Sequence, residues 1–250
     1  MAIDVAQFTA ALSRLTPTQL RWVQGVLRQF ELPYRFSKNS ASDWITDAVL
    51  AEVGDALRIH HAFSRQPLSK DRFEFAFERA LNQAGIKAHL ATSRTNRGHD
   101  ITIATIPVSL KTEAAANINA DYIHVSKWME LGKGEWVLTK LRDAFLEHMK
   151  SYERIFTLRC LNAGPTTYSY ELVEIPKALL LEASHCRLET RNDSKQNPKP
   201  GYGYVNDAHG NLKFALYFDG GTERKLQIKH IRKSLCTVHA TWNFESLPLQ

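Results

Sequence analysis

The sequence predicts an α/β (α+β) fold, in which a mixed sheet is flanked by helices. Three observations support this: helical spacing of apolar residues dominates the first 85 positions, helices and strands mix in the centre, and alternating strand patterns fill the end of the chain. We expect an N-terminal helical region over 1–65, a mixed core over 66–182 and a basic β-rich region over 183–250. The three regions can form one continuous domain.

Composition narrows the class of protein. The chain has 250 residues, of which 44% are hydrophobic and 23% charged, as in globular proteins with a sizeable core. Three cysteines argue against a disulfide framework. No apolar run approaches the roughly 18 residues of a membrane span, and no signal peptide is evident. We therefore expect a cytoplasmic protein that does not associate with a membrane. A net charge of +6 permits a polyanionic partner but does not identify one.

The N-terminal third is predicted to be helical. Two short helices are expected within 4–30, the second starting at Thr16-Pro17, a typical N-cap followed by a first-turn proline. The polar stretch 33–43 is predicted to be a loop. Ser42 or Asp43 is expected to cap a third helix. The best-marked helix is predicted over 69–85, with a buried stripe of phenylalanine, leucine and alanine and a closing glycine.

The remaining elements alternate between strands and helices. A strand is expected over 86–91, and the stretches ITIAT and VSLKTEA predict a β-hairpin around Pro107. Residues 120–131 give mixed signals that suggest a short helix. Further on, the patterns predict a helix over 137–153, strands over 154–161 and 168–175, a helix after Pro176, a loop over 190–203, and strands to the end.

The hairpin carries the most informative chemistry. Side chains at alternate strand positions share a face, so Ser109, Lys111 and Glu113 should point one way. Asp100 begins the preceding strand and should approach Ser109–Lys111. A carboxylate with a second oxygen ligand can hold Mg²⁺, and a nearby lysine can orient a water or offset phosphate charge. Structural alternatives stay open, because Asp100 could cap a turn and Lys111 could protect a sheet edge.

At these residues the chain resembles the PD-(D/E)xK nuclease superfamily, and within it the type II restriction endonucleases. The resemblance rests on Gly98-His99-Asp100, the intervening hairpin, and Ser109-Leu110-Lys111. It also rests on the preceding helix, where Phe73-Glu74 and the closing Gly85 occupy the positions of that family's helix. The order of elements agrees over about residues 70–182. Ser109 departs from the pattern, since the family usually has an acidic residue there.

The resemblance implies a Mg²⁺-dependent endonuclease that cleaves double-stranded DNA at a specific sequence. Asp100 would hold the metal with a second carboxylate, for which Glu74 and Glu113 are favoured over Glu78 and Glu130. Lys111 would position the attacking water, and Ser109 would be a weak ligand or a hydrogen-bond donor. Many such enzymes resemble symmetric dimers, so a homodimer is expected. No nucleotide-binding glycine motif is present, and no nucleotide cofactor is expected.

Basic segments supply candidate DNA contacts, because lysine and arginine bind phosphates while arginine, lysine, asparagine and glutamine read base edges. A cluster before the hairpin, a lysine after it, a basic loop and a basic strand give the following set: Arg94, Arg97, Lys127, Arg187, Arg191, Asn192, Lys195, Gln196, Asn197, Lys199, Arg224, Lys225 and Lys229. Each of these segments can also be an ordinary solvated surface.

Competing functions have less support. Cys236 and His239, or His185 and Cys186, lack the spacing of a four-ligand zinc site. The helices within 4–30 could form a helix-turn-helix, which would make the chain a non-catalytic DNA-binding protein. That alternative gives no reason to gather carboxylates and a lysine at the hairpin.

Overall fold

A computed structural model describes residues 4–91, 98–115 and 118–247, and it confirms the mixed α/β fold. The helices are α1 (Val5–Leu12), α2 (Pro17–Glu31), α3 (Asp47–Phe63), α4 (Lys70–Gln83), α5 (Leu138–His148) and α6 (Lys177–Leu181). Short 3₁₀ turns span Met149–Ser151, Glu182–His185 and Lys233–Leu235. In these described ranges no helix has the length and apolar character that crossing a membrane requires.

Within the described ranges, twelve strands form two sheets. They are β1 (Tyr34–Lys38), β2 (Ala88–Leu90), β3 (Ile101–Ile103), β4 (Ile106–Glu113), β5 (Tyr122–Glu130), β6 (Arg154–Ala163), β7 (Thr167–Glu174), β8 (Arg187–Thr190), β9 (Gly201–Asn206), β10 (Leu212–Asp219), β11 (Lys225–Arg232) and β12 (Thr237–Glu245). The larger sheet has the order β1-β12-β7-β6-β4-β3-β2, and the smaller has the order β5-β11-β10-β9-β8.

The larger sheet is mixed because β4 and β6 run parallel while its other pairs are antiparallel. The hairpin predicted around Pro107 is confirmed as β3 and β4. Helices α3 and α4 cover one face, where Val108 and Leu110 of β4 join a buried cluster with Val53 and Phe77. The side chains at the alternate positions of β4, Ser109, Lys111 and Glu113, therefore point to the other face of the sheet.

A second core joins the two sheets. Phe145 of α5 packs with Ile155 of the larger sheet and with Leu216 and Ile228 of the smaller one. The predicted chain regions interleave in this arrangement. Strand β5, from the central region, pairs with β11 of the C-terminal region, and β12 returns to the larger sheet.

The second helix begins at the predicted Thr16-Pro17 pair. Thr16 and Gln19 form a reciprocal capping box ahead of Pro17, and Asp4 accepts hydrogen bonds from the backbone N–H groups of Ala6 and Gln7. Both helices are weakly covered: α1 has no buried residue, and α2 buries only Gly25 and Gln29. The cap predicted for the third helix is wrong: Thr46 caps α3, because Ser42 and Asp43 accept from the backbone N–H groups of Ile45 and Trp44 before that helix begins.

Three further local predictions, of secondary structure, are wrong. The helix expected within 120–131 is strand β5, whose register against β11 shifts twice, so its apolar residues lose the strict alternation that identifies a strand. Part of the loop expected over 33–43 is β1, an edge strand of mostly exposed residues paired with β12. The basic stretch that was expected to be a loop begins with a strand, β8, which pairs with β9 at the edge of the smaller sheet.

Candidate active site

Asp100 is fixed at the start of the β3–β4 hairpin. Its backbone N–H donates to the carbonyl of Val108, and its carbonyl accepts from the backbone N–H of Ala91. The carboxylate then reaches across to β4. Its Oδ2 accepts hydrogen bonds from the backbone N–H of Leu110 at 2.6 Å and from Ser109 Oγ at 3.0 Å. The hairpin therefore holds this side chain in one position.

Helix α4 contributes a second carboxylate and an ammonium group. Lys70, in the first turn, places Nζ 2.6 Å from Asp100 Oδ1 and 2.9 Å from Glu74 Oε1. Glu74 follows one turn later, as i and i+4 neighbours share a helix face. Burial raises the pKa of Glu74, although the charge of Lys70 opposes this. The two residues of the Phe73-Glu74 pair have different surroundings. Phe73 is buried in the core, whereas Glu74 contacts Lys70, which in turn contacts Asp100.

Lys111 lies on the face of β4 away from α3 and α4. Its Nζ is 3.8 Å from Asp100 Oδ2 and 5.5 Å from the centroid of the Trp128 ring. The side chain is only 11% exposed. Burial lowers the pKa of Lys111 to about 8, against the attraction of Asp100, so a neutral amine is accessible near physiological pH. His148 of α5 is close enough for the Lys111 charge to help lower its pKa, after burial as the main cause.

Asp100 keeps its charge in this setting. Burial alone would raise its pKa, but Lys111, Lys70 and the hydrogen bond from Leu110 hold the pKa below its ordinary value. We call Lys70, Glu74, Asp100, Ser109 and Lys111 the hairpin cluster. It combines an ionised carboxylate, a second carboxylate and a lysine of lowered pKa, a combination typical of catalytic sites.

Glu113 lies apart from the hairpin cluster. Its Oε2 accepts from Arg159 Nε at 2.5 Å, and its Oε1 accepts from the backbone N–H of His124 at 3.0 Å. The expectation that Glu113 shares a metal with Asp100 has no support in this geometry, because its partners are Arg159 and the backbone of His124, which lie outside the hairpin cluster. The sequence pattern placed it beside Lys111 on one strand face, and the parallel neighbour β6 brings Arg159 opposite it.

The two other glutamates are also engaged elsewhere. Glu78 accepts from the backbone N–H of Leu90 at 2.8 Å, and Glu130 pairs with Lys127 at the surface. Glu74 is thus the second carboxylate beside Asp100. The donor set fits a hard cation, since two carboxylates already converge on one cationic group, the Lys70 ammonium. Over the described ranges, three metal-binding side chains do not gather at any point, so water would have to complete such a coordination shell.

The basic candidates occupy several surfaces. Arg94 and Arg97 lie outside the described residues. Lys127 is on β5, paired with Glu130. In the loop after β8, Lys195 and Asn197 are exposed, Gln196 donates to Asp219, and Lys199 donates to the carbonyl of Asn192. Near the end of β5, the Arg224 guanidinium lies 5.6 Å from the Trp136 ring centroid, and Lys225 pairs with Glu223.

The outer face of the smaller sheet combines cations with aromatic rings. Tyr202 and Tyr204 stack at 5.3 Å, and Tyr217 lies 4.8 Å from Tyr202. The ammonium of Lys229 lies 3.7 Å from the centroid of the Tyr217 ring, while the guanidinium of Arg187 lies 4.7 Å from that of Tyr204. Arg191 is 6.0 Å from Tyr202 and pairs with Asp193. Three predicted contacts, Arg187, Arg191 and Lys229, therefore meet on one face.

Sequence reasoning missed one member of the cluster, Lys70, and two of its neighbours. Lys70 is the one lysine of α4, and its i, i+4 spacing to Glu74 was the available signal. The place of Trp128 beside Lys111 was missed because residues 120–131 were expected to form a helix. His148 lies in a correctly predicted helix, but only the packing of α5 brings it near Lys111.

Comparison with known proteins shows the family of this chain. A family model described as SmaI, type II site-specific deoxyribonuclease, matches residues 8–244. The type II restriction enzyme SmaI of Serratia marcescens is 55% identical over 225 residues, which cover 90% of this chain and 89% of that protein. The family model spans the hairpin cluster, and both matches confirm the prediction of a type II restriction endonuclease. This chain therefore belongs to the SmaI family of type II site-specific deoxyribonucleases.

Proposed function

We propose that this restriction endonuclease hydrolyses double-stranded DNA with Mg²⁺ held at the hairpin cluster, as in the PD-(D/E)xK nucleases. One observation carries the proposal. Asp100, fixed by Ser109 and Leu110, is linked through Lys70 to Glu74 on one side and lies near the buried Lys111 on the other. Asp100 and Glu74 would hold the ion. When bound, the ion would supply positive charge for the phosphate and acidify a water.

Lys111 would act on the attacking water. Its neutral amine, accessible because the pKa is about 8, can accept a proton from that water as the oxygen attacks phosphorus. The bond from phosphorus to the 3′ oxygen breaks, and that oxygen takes a proton from solvent water, which leaves a 5′-phosphate and a 3′-hydroxyl. The protonated ammonium then offsets negative charge near the phosphate. Ser109 keeps the Asp100 carboxylate in place by donating a hydrogen bond.

DNA would be held by the basic candidates, above all by Arg187, Arg191 and Lys229 on the tyrosine-rich face. A tyrosine ring beside a lysine or arginine can also pack against sugars and bases while the neighbouring cation contacts a phosphate. Arg94, Arg97, Lys127, Arg224 and Lys225, with the loop residues from Asn192 to Lys199, would add phosphate or base contacts. Because the substrate is DNA, we place the enzyme in the cytoplasm.

We further propose a homodimer, because the described residues contain one hairpin cluster whereas a duplex has two strands to cut. The uncovered helices α1 and α2 offer a contact surface. Nine of the thirteen exposed large apolar side chains in the described residues lie between Val5 and Phe63. Trp22 of α2 meets Phe63 of α3 with ring centroids 5.6 Å apart, which joins the two helices into one apolar surface. Exposed apolar patches of this kind mark protein contacts.

Light scattering tests the homodimer. The wild type is expected at twice the chain mass, and a Phe8→Ser, Leu27→Ser double variant is expected at the chain mass. Both side chains are at least half exposed, so their replacement should leave the fold intact. Leu181→Ser, an exposed apolar residue outside this surface, is the matched control. A wild-type mass equal to one chain would contradict the dimer, and an unchanged dimer in the double variant would place the interface elsewhere.

Cleavage of phage-length duplex DNA tests the enzymatic proposal. Wild-type protein should give discrete fragments with Mg²⁺ and none with EDTA, and Lys111→Ala should give none in either condition. Lys150→Ala is the control, since Lys150 forms an exposed pair with Glu147 and should cut normally. Salt-sensitive DNA binding without cutting by the wild type would instead favour the alternative, a non-catalytic DNA-binding protein.

A further inference from the structure

Lys70 occupies the place between the two carboxylates of the hairpin cluster. Its Nζ lies 2.6 Å from Asp100 Oδ1 and 2.9 Å from Glu74 Oε1, so one ammonium group contacts both. The other oxygen of Asp100 is directed to β4, where it accepts from Ser109 and Leu110. The oxygens that contact Lys70 are therefore the ones that the hairpin leaves for a cation.

The two lysines of the cluster differ in freedom. Lys111 is 11% exposed and lies beside Trp128, whereas Lys70 is 39% exposed at the start of α4. A lysine ammonium at the end of a flexible four-carbon chain can withdraw into water when its site is partly open. Lys70 can therefore leave the carboxylates without disturbing the core, while Lys111 is held.

We propose that Lys70 is an intramolecular competitor of the divalent cation, which occupies Asp100 and Glu74 in the metal-free protein and must withdraw before the ion binds. This inference rests on the proposed metal site. The physical basis is charge: an ammonium ion and a divalent cation cannot share the same two carboxylate oxygens without strong repulsion. Each ion pair that Lys70 makes is thus lost when the ion enters, and metal affinity falls accordingly.

The opposite role predicts the opposite sign. If Lys70 instead served to hold Glu74 and Asp100 in position for the metal, its removal would loosen the site and weaken metal binding. If its pairs were ordinary surface pairs without influence on the site, its removal would change nothing. Metal affinity in the absence of DNA separates these roles, because it does not depend on the cleavage reaction.

The test titrates DNA-free full-length protein with Mn²⁺ and follows free Mn²⁺ by its electron paramagnetic resonance signal. Lys70→Met keeps the length of the side chain and removes its charge, while Lys70→Arg keeps the charge. Lys150→Met is the matched control, because Lys150 makes an i, i+3 ion pair with Glu147 outside the cluster. Asp100→Asn reports whether the ion binds at the cluster at all.

We expect Lys70→Met to bind Mn²⁺ about two- to fivefold more tightly than the wild type, the gain expected when a competing partly exposed ion pair is removed. Lys70→Arg and Lys150→Met should match the wild type, and Asp100→Asn should bind more weakly. Unchanged or weaker binding by Lys70→Met, with weaker binding by Asp100→Asn, overturns the role of Lys70 alone. Equal binding by Asp100→Asn and the wild type overturns the metal site and this inference with it.

Discussion

Strand β4 contributes residues to two groups of charged side chains, and the two groups differ in how their members are paired. Near its middle is the hairpin cluster, in which Lys111 lies 3.8 Å from Asp100 and burial lowers its pKa to about 8. At its end is a second group, the Arg159 network, formed by Glu113, Arg159, Glu171 and Lys233. There the Arg159 side chain is fully buried and contacts both glutamates.

Arg159 has a partner for each nitrogen of its guanidinium group. It donates to Glu113, to Glu171 and to the backbone carbonyls of Asn119 and Tyr122. Lys233 donates to Glu171 at 3.1 Å. A buried ion pair that is fully hydrogen-bonded tends to fix a structure and leaves no free ligand for chemistry. In the hairpin cluster, by contrast, Lys70 is partly exposed and burial disfavours the charged form of Lys111, as we expect of the proposed catalytic site.

The largest effect is expected at the carboxylate that the hairpin holds. Asp100→Asn removes the charge that would bind the ion, and we expect the cleavage rate to fall by about 10²–10⁴-fold, the range typical of lost catalytic groups. Single-turnover cleavage of duplex DNA measures this. Asp143→Asn, which alters an exposed pair with Arg142, is the control and should cut normally. Cleavage within a few-fold of wild type by Asp100→Asn would show that the chemistry lies elsewhere.

Breaking the Arg159 network should affect stability instead. Arg159→Met leaves Glu113 and Glu171 buried without their main cationic partner, and loss of one partner of a buried pair typically costs about 3–5 kcal/mol. Urea unfolding measures the free-energy difference from the wild type. An exposed pair broken by Arg187→Met should change stability by less than about 1 kcal/mol. Equal effects for the two variants would mean that the network is not structural.

Lys111→Met should have the opposite sign and should stabilise the protein at pH 7. The pKa of Lys111 falls from an ordinary 10.5 to about 8 on folding, so burial of the charged form carries a cost of the order of 1–3 kcal/mol below pH 8. Between pH 8 and 10.5 the unfolded chain binds more protons, so wild-type stability rises with pH relative to the variant. Thermal unfolding at pH 7 and pH 10 should show the advantage of Lys111→Met shrinking, and an advantage that is constant or growing with pH would contradict the lowered pKa.

The smallest effects are expected on the tyrosine-rich face. Lys229→Ala would remove one proposed phosphate contact, so it should weaken DNA binding modestly and reduce the slope of log affinity against log salt by about one. Fluorescence anisotropy with a labelled duplex at several salt concentrations measures both quantities. Lys150→Ala is again the control. A slope unchanged by both substitutions would remove this face from the DNA contacts.

Local patterns predicted the hairpin because its alternation and turn are short-range features, and they brought Asp100 to Lys111 through the pairing of β3 with β4. They could not separate Glu74 from Glu113. That choice depends on Arg159, which is distant in sequence and becomes a neighbour only through the parallel pairing of β4 with β6. Lys70 and His148 were missed for the same reason, since tertiary packing rather than spacing brings them to Asp100 and Lys111.

Strand β5 shows a second limit of local patterns. Its irregular register against β11 hides the alternation, and the pairing partner lies about a hundred residues later in the chain. The error at β5 concealed Trp128, whose ring lies beside Lys111. Because this strand was assigned as a helix, the sequence could not predict that Trp128 lines the site.

The most direct test compares Lys111→Met with Glu113→Gln, two changes on the same face of β4. Single-turnover cleavage with Mg²⁺ is measured at a temperature where circular dichroism shows both variants folded. We predict that Lys111→Met loses cleavage and that Glu113→Gln, although less stable, cuts within about threefold of the wild type, well below the 10²–10⁴-fold loss of a catalytic group. Normal cleavage by Lys111→Met together with loss of cleavage by folded Glu113→Gln would contradict the assignment of the hairpin cluster as the catalytic centre.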